Sequence, residues 1–505
     1  MTTQTLAGAA SRAAVVTLSA QGARVVIQLA GVVVLARLLT PHEYGLMAMV
    51  VALVGIADVV RDLGLGQAAV QARTLGPAER ANLFWLNTLI GALLCVAAVA
   101  SSWGVAALYG EPALQHVVVL FSATLLLRGM SVQFAADLSR SLRFGRLAIA
   151  ETTGQIAGLA AAIALAAADA GVWALAWQVV VQAAVVLVLA VALTGWLPGP
   201  YRRAVPVRPL VRFGAALAGA NLLNYASRNV DAVVIGLRFG AVELGSYNRA
   251  FQLMTAPLNQ LQIPTSRVAV PVLSRLQDDP RRFARYILAG QFALLLVVGV
   301  ISAVSISQPE AVVRVALGGG WDEVAPLFQA LAVGGVFQAA TQASSWVFVA
   351  LGLGRQQLLY ALATRPVGIV VVVLGSQWGA TGVAWAYTAA LALYWPASLA
   401  WLARCSDAPV GAMLRNGLRG MAVVAVSAGA AAAVCAAWLP GDTAGGLAVA
   451  TGIALVVPAA TALVLPGFRA QVRETVGIGR QVIGSRRRRA GAEEGTEPWN
   501  TEADG

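Results

Sequence analysis

The sequence runs as a succession of apolar blocks, each roughly 20 residues long and separated by short polar turns. About 20 apolar residues in helical form cross the ~30 Å hydrocarbon core of a bilayer. Fourteen such blocks occur, centred near residues 26, 56, 96, 126, 158, 183, 226, 257, 295, 338, 368, 391, 428 and 454. With 59% hydrophobic and 11% charged residues, the chain is too apolar for an ordinary soluble domain. The first block is longer than a signal h-region, carries Arg24 at its centre and has no small-residue cleavage site after it. The expectation is an all-α polytopic membrane protein of about 14 transmembrane helices.

The formal net charge of +12 would suit nucleic acid if it were spread over one face, so its placement decides. Arginines cluster before span 1 and after spans 2, 4, 6, 8, 10, 12 and 14, whereas the intervening loops hold only Arg37, Arg238 and Arg314. This alternation is the positive-inside rule; it excludes a nucleic-acid partner and places both termini in the cytoplasm. All 35 basic residues are arginine, which excludes a P-loop lysine and a Schiff-base lysine. Cys95, Cys405 and Cys435 form no CxxC pair, so neither a metal site nor a disulfide framework is expected. GLGQAA, from Gly64, fits a dinucleotide fingerprint only on paper, because no strand precedes it. No cofactor is expected.

The stretch LARLLTPHEYG, from Leu35, falls on IGLRFGAVELG, from Ile235, when the chain is shifted by 200 residues. Glu43 then meets Glu243, and Gly45 meets Gly245. FGR ending at Arg146 matches LGR ending at Arg355, and GVWALAW from Gly171 resembles GVAWAY from Gly382. Two six-helix lobes follow, related by a parallel pseudo-two-fold repeat around a central cavity, since six is even and both halves enter from the same side. The expected division is 1–205 and 206–410 for the lobes, 411–466 for an extra helix pair and 467–505 for a disordered cytoplasmic tail. The shared Glu and Gly read as an outer bend, with glycine reversing the chain and the carboxylate in water.

Polar residues within the spans are the candidate site. Gln21, Arg24 and Gln28 share one face of the first helix; Asn221, Asn224, Arg228 and Asp231 share one face of the seventh, and Gln338 and Gln342 one face of the tenth. An arginine at mid-membrane costs about 2.5–3.5 kcal/mol, so three facing lipid would cost roughly 10 kcal/mol, as much as many proteins' whole stability. Arg61 has Asp58 three residues back and reads as a structural pair. Arg24, Arg128 and Arg365 have no acid within four residues on their own helices and read as cavity-lining, with Arg249 near the outer end of the eighth span. Pro257, Pro264 and Pro271 recur at intervals of seven on that span, as a hinge or a static kink.

The run LARLLTPHEYGLMAM together with DLGLGQAAVQ, from Asp62, resembles the N-terminal signature of polysaccharide transporters in the multidrug/oligosaccharidyl-lipid/polysaccharide flippase superfamily, within it the Wzx-type flippases. The resemblance runs from about Arg24 to about Arg404. It implies alternating access, a substrate built as an oligosaccharide on undecaprenyl diphosphate, a bacterial inner-membrane location, and polymerase and glycosyltransferases of the same pathway as partners. In that setting Arg24, Arg128, Arg365, Arg228 and Arg249 would meet the diphosphate, since a guanidinium fork fits phosphate oxygens and stays charged. The amides Gln21, Gln28, Asn221, Asn224, Gln338 and Gln342 would meet the sugar. The resemblance also implies ion-driven exchange, with proton or sodium left open; Asp231 is the first candidate carrier, then Asp58, Asp137 and Glu151. Two other functions are weighed. A membrane enzyme of polysaccharide assembly, a polymerase or acyltransferase, would use His42 and His116, but its one-sided active site gives no reason for a duplicated six-helix unit. A multidrug exporter of cationic drugs would want an acidic cavity, and this stripe is weighted to arginine.

Overall fold

The computed structural model describes residues 22, 24–62, 65–71, 75–202, 208–439, 443–464, 466–475 and 477; within 208–228 side chains are described at Leu222 and Tyr225 only. All fourteen apolar blocks fall on helices. In chain order these are α1 (24–38), α2 (Pro41–Asp62), α3 (Leu65–Gln71), α4 (Pro77–Tyr109), α5 (Ala113–Arg140), α6 (Phe144–Ala167), α7 (Val172–Thr194) and α8 (Arg208–Arg275). Then come α9 (Pro280–Ser307), α10 (Pro309–Leu317), α11 (Val324–Ala350), α12 (Gly354–Gly375), α13 (Gly379–Cys405), α14 (Val410–Trp438), α15 (Thr443–Val464) and α16 (466–475).

Among the described residues, nine helical stretches are long and apolar enough to cross a membrane. Gly354–Cys405 counts once among these although it holds both α12 and α13, and α1 is described only from residue 24. Leu93, Val96, Trp103 and Val188 lie exposed on helix surfaces, as suits faces turned to hydrocarbon rather than to water. The protein is a multi-pass membrane protein.

Backbone contacts divide the chain into two compact units. The first gathers residues 1–253, 312–328 and 365–387. In it α4 lies along α5, α6 along α7, and α5 also along α7. Small residues set these approaches, as expected where helices pack in lipid without a hydrophobic driving force. A Cβ on Gly91 of α4 would stand 2.6 Å from the Leu125 carbonyl oxygen, and one on Gly129 of α5 would stand 2.8 Å from that of Asn87. Four apart on α6, Gly158 would bring a Cβ to 2.5 Å from the Gln178 carbonyl oxygen of α7, and Gly154 to 2.5 Å from a Val186 methyl.

The second unit gathers 254–311, 329–364 and 388–505, with α14 packed on α9 and α15 closing on both. Its far end differs from expectation. The tail foreseen from residue 467 opens on a docked helix, because Phe468 packs edge-on against Phe292, Gln471 bonds Asn416 at 3.0 Å, and Glu474 pairs with Arg285 at 3.4 Å. Asn416 in turn donates to Gln291 and to the Leu288 carbonyl, both at 3.0 Å. Residues 478–505 lie outside the described set.

The repeat is written into the backbone. Helix α8 breaks at Gly240 (φ 81°, ψ −170°), the counterpart of Thr40 between α1 and α2, so each half begins with a helical hairpin. The three prolines of the second leg sit inside continuous helix, and the break falls at the glycine instead. Gly171 (φ 60°) opens α7 as Gly379 (φ 75°) opens α13. That pairing moves the register of the last match to an offset of 208 and sets Trp177 over Trp385.

The bend reading of Gly45 and Gly245 is corrected. Both are helical, and a Cβ on Gly45 would collide with the Ala241 carbonyl while one on Gly245 would collide with that of Pro41. The repeated glycines therefore let α2 and the second leg of α8 cross backbone against backbone. Glu43, half-exposed at the hairpin tip, also caps α2: its carboxylate accepts from the Thr40 backbone N–H at 2.6 Å and from the Thr40 hydroxyl at 3.0 Å.

Candidate functional site

A cavity of about 270 Å³ opens within the first unit. Gln28 reaches it from α1, Tyr44 from α2, Gln155 from α6, Gln178 and Gln182 from α7, and Arg249 and Gln252 from the second leg of α8. Ile27, Gly31, Val32, Leu35, Leu159 and Leu175 complete its wall. The spacing explains the convergence: 178 and 182 are four apart, 249 and 252 three apart, so each pair shares one helix face. None of the described lining residues is acidic. Five amides and one guanidinium in an apolar bundle supply donors and acceptors for a hydroxyl-rich ligand and a single positive charge.

Of the expected site residues, Gln28 and Arg249 line this cavity. Arg249 carries its guanidinium carbon 3.8 Å from the centre of the Tyr44 ring, and no carboxylate pairs with it among the described residues. Its Nε is buried without a hydrogen-bond partner, as are the Tyr44 hydroxyl and the Gln252 side-chain carbonyl.

Arg24 and Arg128 are placed otherwise. Arg24 pairs with Glu151 of α6, one turn before Gln155, whose amide donates to the Arg24 backbone carbonyl at 3.2 Å. Asp58 divides its two oxygens between Arg61 at 2.9 Å and Arg128 at 2.8 Å. Arg24 and Arg128, without acids on their own helices, thus have them on neighbouring helices, and the carboxylates Glu151 and Asp58 are committed to them. Arg61 is structural, as its spacing foretold. Asp137 is likewise held by Arg80, which also lies over the Trp196 ring at 4.3 Å. Asp231 is buried and accepts from the Tyr247 hydroxyl at 2.6 Å, with no ion pair among the described residues.

In the second unit Gln342 donates to Ser266 at 3.1 Å, an interhelical tie shared with Trp346, while Gln338 is half-buried on the same helix. Arg365, which belongs to the first unit, is half-buried on α12, directly before Pro366. Gln21 lies outside the described residues, as do the side chains of Asn221, Asn224 and Arg228. His42 stands 3.3 Å from Glu111 at the hairpin tip, and His116 is exposed. Sequence reasoning missed Tyr44, Gln155, Gln178, Gln182 and Gln252. The signal is present in WQVVVQ, two amides at helical spacing in an apolar span, but such a pair reads equally well as interhelical hydrogen bonding.

The family profile described as "Polysaccharide biosynthesis protein" matches residues 34–326, more than half of the chain. The chain belongs to this family. Similar proteins include the lipopolysaccharide biosynthesis protein WzxC of Escherichia coli (strain K12), 25% identical over 361 residues, covering 69% of this chain and 72% of that protein. The teichuronic acid biosynthesis protein TuaB of Bacillus subtilis (strain 168) is 27% identical over 300 residues, 59% of this chain and 62% of its own length. The amylovoran biosynthesis protein AmsL of Erwinia amylovora is 24% identical, covering 61% of this chain and 80% of its own. Among solved structures, the lipid II flippase MurJ in its inward closed conformation superposes with a TM-score of 0.70 at 12% identity, covering 88% of this chain and 98% of that one. An inward-facing multidrug resistance MATE family transporter of the MOP superfamily gives 0.58 at 14%, covering 80% and 99%. At such identities the likeness is one of fold. These neighbours are transporters and not enzymes.

Proposed function

We propose that the protein flips undecaprenyl-diphosphate-linked oligosaccharide repeat units across the bacterial inner membrane by alternating access, serving surface polysaccharide synthesis. Membership of a polysaccharide biosynthesis family supports this, together with a transporter fold. The observation that carries the reading is the acid-free cavity of amides around Arg249. A sugar needs donors and acceptors without net repulsion, and an anionic carrier needs a cation; a cationic drug would find no counter-charge there. At about 270 Å³ the cavity accommodates part of a headgroup rather than a whole repeat unit. In this reading Arg249, Gln28, Gln155, Gln178, Gln182 and Gln252 contact the headgroup, and Arg365 and Gln338 remain proposed contacts. Arg24 and Arg128 instead brace the helices. The lobes at 1–205 and 206–410, the helix pair at 411–466 and the cytoplasmic termini are kept as the working topology.

For coupling we favour a proton at Asp231. The other three acids are ion-paired, and Tyr247 offers Asp231 a hydrogen where a bound cation would want only acceptors. Reconstitution in liposomes with a fluorescent polyprenyl-diphosphate glycan tests both points. Translocation should occur with the purified chain, accelerate under a pH gradient and lose that acceleration in Asp231→Asn. Replacing His42 and His116 together by Ala should leave translocation largely intact; loss of all activity would favour an enzyme instead.

A further inference from the structure

Three arginines of the first unit are held in two different ways. Arg24 is held by Glu151 and Arg128 by Asp58, carboxylates that occupy N–H donors and cancel the charge. Arg249 is held by the face of Tyr44, which occupies no donor and leaves the charge whole. The buried, unpartnered Nε of Arg249 and hydroxyl of Tyr44 are two donors beside the same cavity. Arg24 and Arg80 also leave a buried Nε without a hydrogen-bond partner, but only Arg249 and Tyr44 among these line the cavity, so this pair marks a place where an acceptor docks.

The ring itself is fixed from two sides. Tyr44 is 4% exposed and follows directly on the Thr40/Glu43 cap of α2. Its ring meets the buried Trp321 at 5.6 Å and 61°, and the Trp321 indole N–H donates to the Ala36 carbonyl in the last turn of α1 at 2.8 Å. The first hairpin and the 312–328 segment therefore set the plane on which the guanidinium lies.

We propose that Tyr44 is the positioning residue that makes Arg249 an oxyanion receptor, holding the guanidinium flat so that its donor edge and the tyrosine hydroxyl bind one acidic group. This rests on reading the cavity as the substrate site. The group is a phosphate oxygen of a lipid diphosphate or a sugar carboxylate, which present the same chemistry to a guanidinium.

The test uses the purified full chain, with thermal unfolding followed during titration of inorganic pyrophosphate, glucuronate or glucose at constant ionic strength. At least one of the two oxyanions should raise the unfolding midpoint saturably and glucose should not; the tighter of the two identifies the source. Tyr44→Phe should keep Kd within about threefold, whereas Tyr44→Leu should weaken it about 10- to 30-fold, the scale of a desolvated cation–π contact. Tyr44→Met, closer in volume, stands in if the leucine variant does not fold. Arg249→Gln should abolish binding, and so should Tyr44→Glu, which would occupy Arg249 as Asp58 occupies Arg128. The proposal is overturned if neither oxyanion stabilises the native chain, if Tyr44→Leu and Tyr44→Met bind like the native chain, or if Tyr44→Phe falls as far as they do. Failure of the transport reading shows separately, as native translocation by Arg249→Gln in liposomes.

Discussion

Arg24 and Glu151 illustrate how a residue's role depends on what neighbouring helices bring to it. On its own helix Arg24 has no acid within reach, so spacing alone reads it as open to substrate. The acid lies 127 residues away and is found only when α1 and α6 pack. Within-helix pairs such as Arg61 with Asp58 are legible from sequence because spacing of three fixes them. Cross-helix pairs are not. If the Arg24 pair braces the helices, the exchange Arg24→Glu with Glu151→Arg should restore the translocation that either single change lowers. A substrate-binding Arg24 would not be rescued. Asp58→Asn should destabilise the chain by about 3 kcal/mol, because it strands the buried Arg61; exposure of about a third of Arg128 keeps the loss from growing larger. Thermal unfolding in detergent measures it.

At the level of elements, helix positions were the most legible feature and glycine roles the least. A block of 20 apolar residues has one stable form in lipid, which is why all fourteen blocks became helices. The short helices α3 and α10 carry no such signal and went unforeseen. In sequence a glycine near a hairpin tip fits a turn and a helix crossing equally well, and the Ala241 carbonyl against Gly45 decides for the crossing. Replacement by alanine separates the two roles. An exposed helical glycine usually gains up to about 1 kcal/mol from alanine, and Gly104, with nothing within 4 Å of its Cβ position, should follow that rule. Gly45→Ala and Gly245→Ala should reverse the sign, lowering the unfolding midpoint, because each methyl meets rigid backbone.

Over the whole molecule, the charge pattern and the repeat work together. Gly45 recurs as Gly245 because two hairpins meet through these glycines, while Tyr44, which faces Arg249, and His42, which faces Glu111, have only Leu244 and Val242 as counterparts. Duplication thus preserved the helix contact and left the cavity asymmetric, so repeat matching finds the scaffold and passes over the site. Orientation is a separate matter, resting on arginine placement alone. With Cys95, Cys405 and Cys435 replaced by Ala, a single cysteine at Pro112 in the α4–α5 turn should react with an impermeant maleimide on intact spheroplasts. One at Ser141 in the α5–α6 turn should react only after lysis. Both positions are exposed, so accessibility of the turn does not limit either reaction. The opposite pattern would invert every span, turn the Arg140, Arg143 and Arg146 cluster outward against the positive-inside rule, and place the first hairpin tip with its Trp321 contact on the cytoplasmic side.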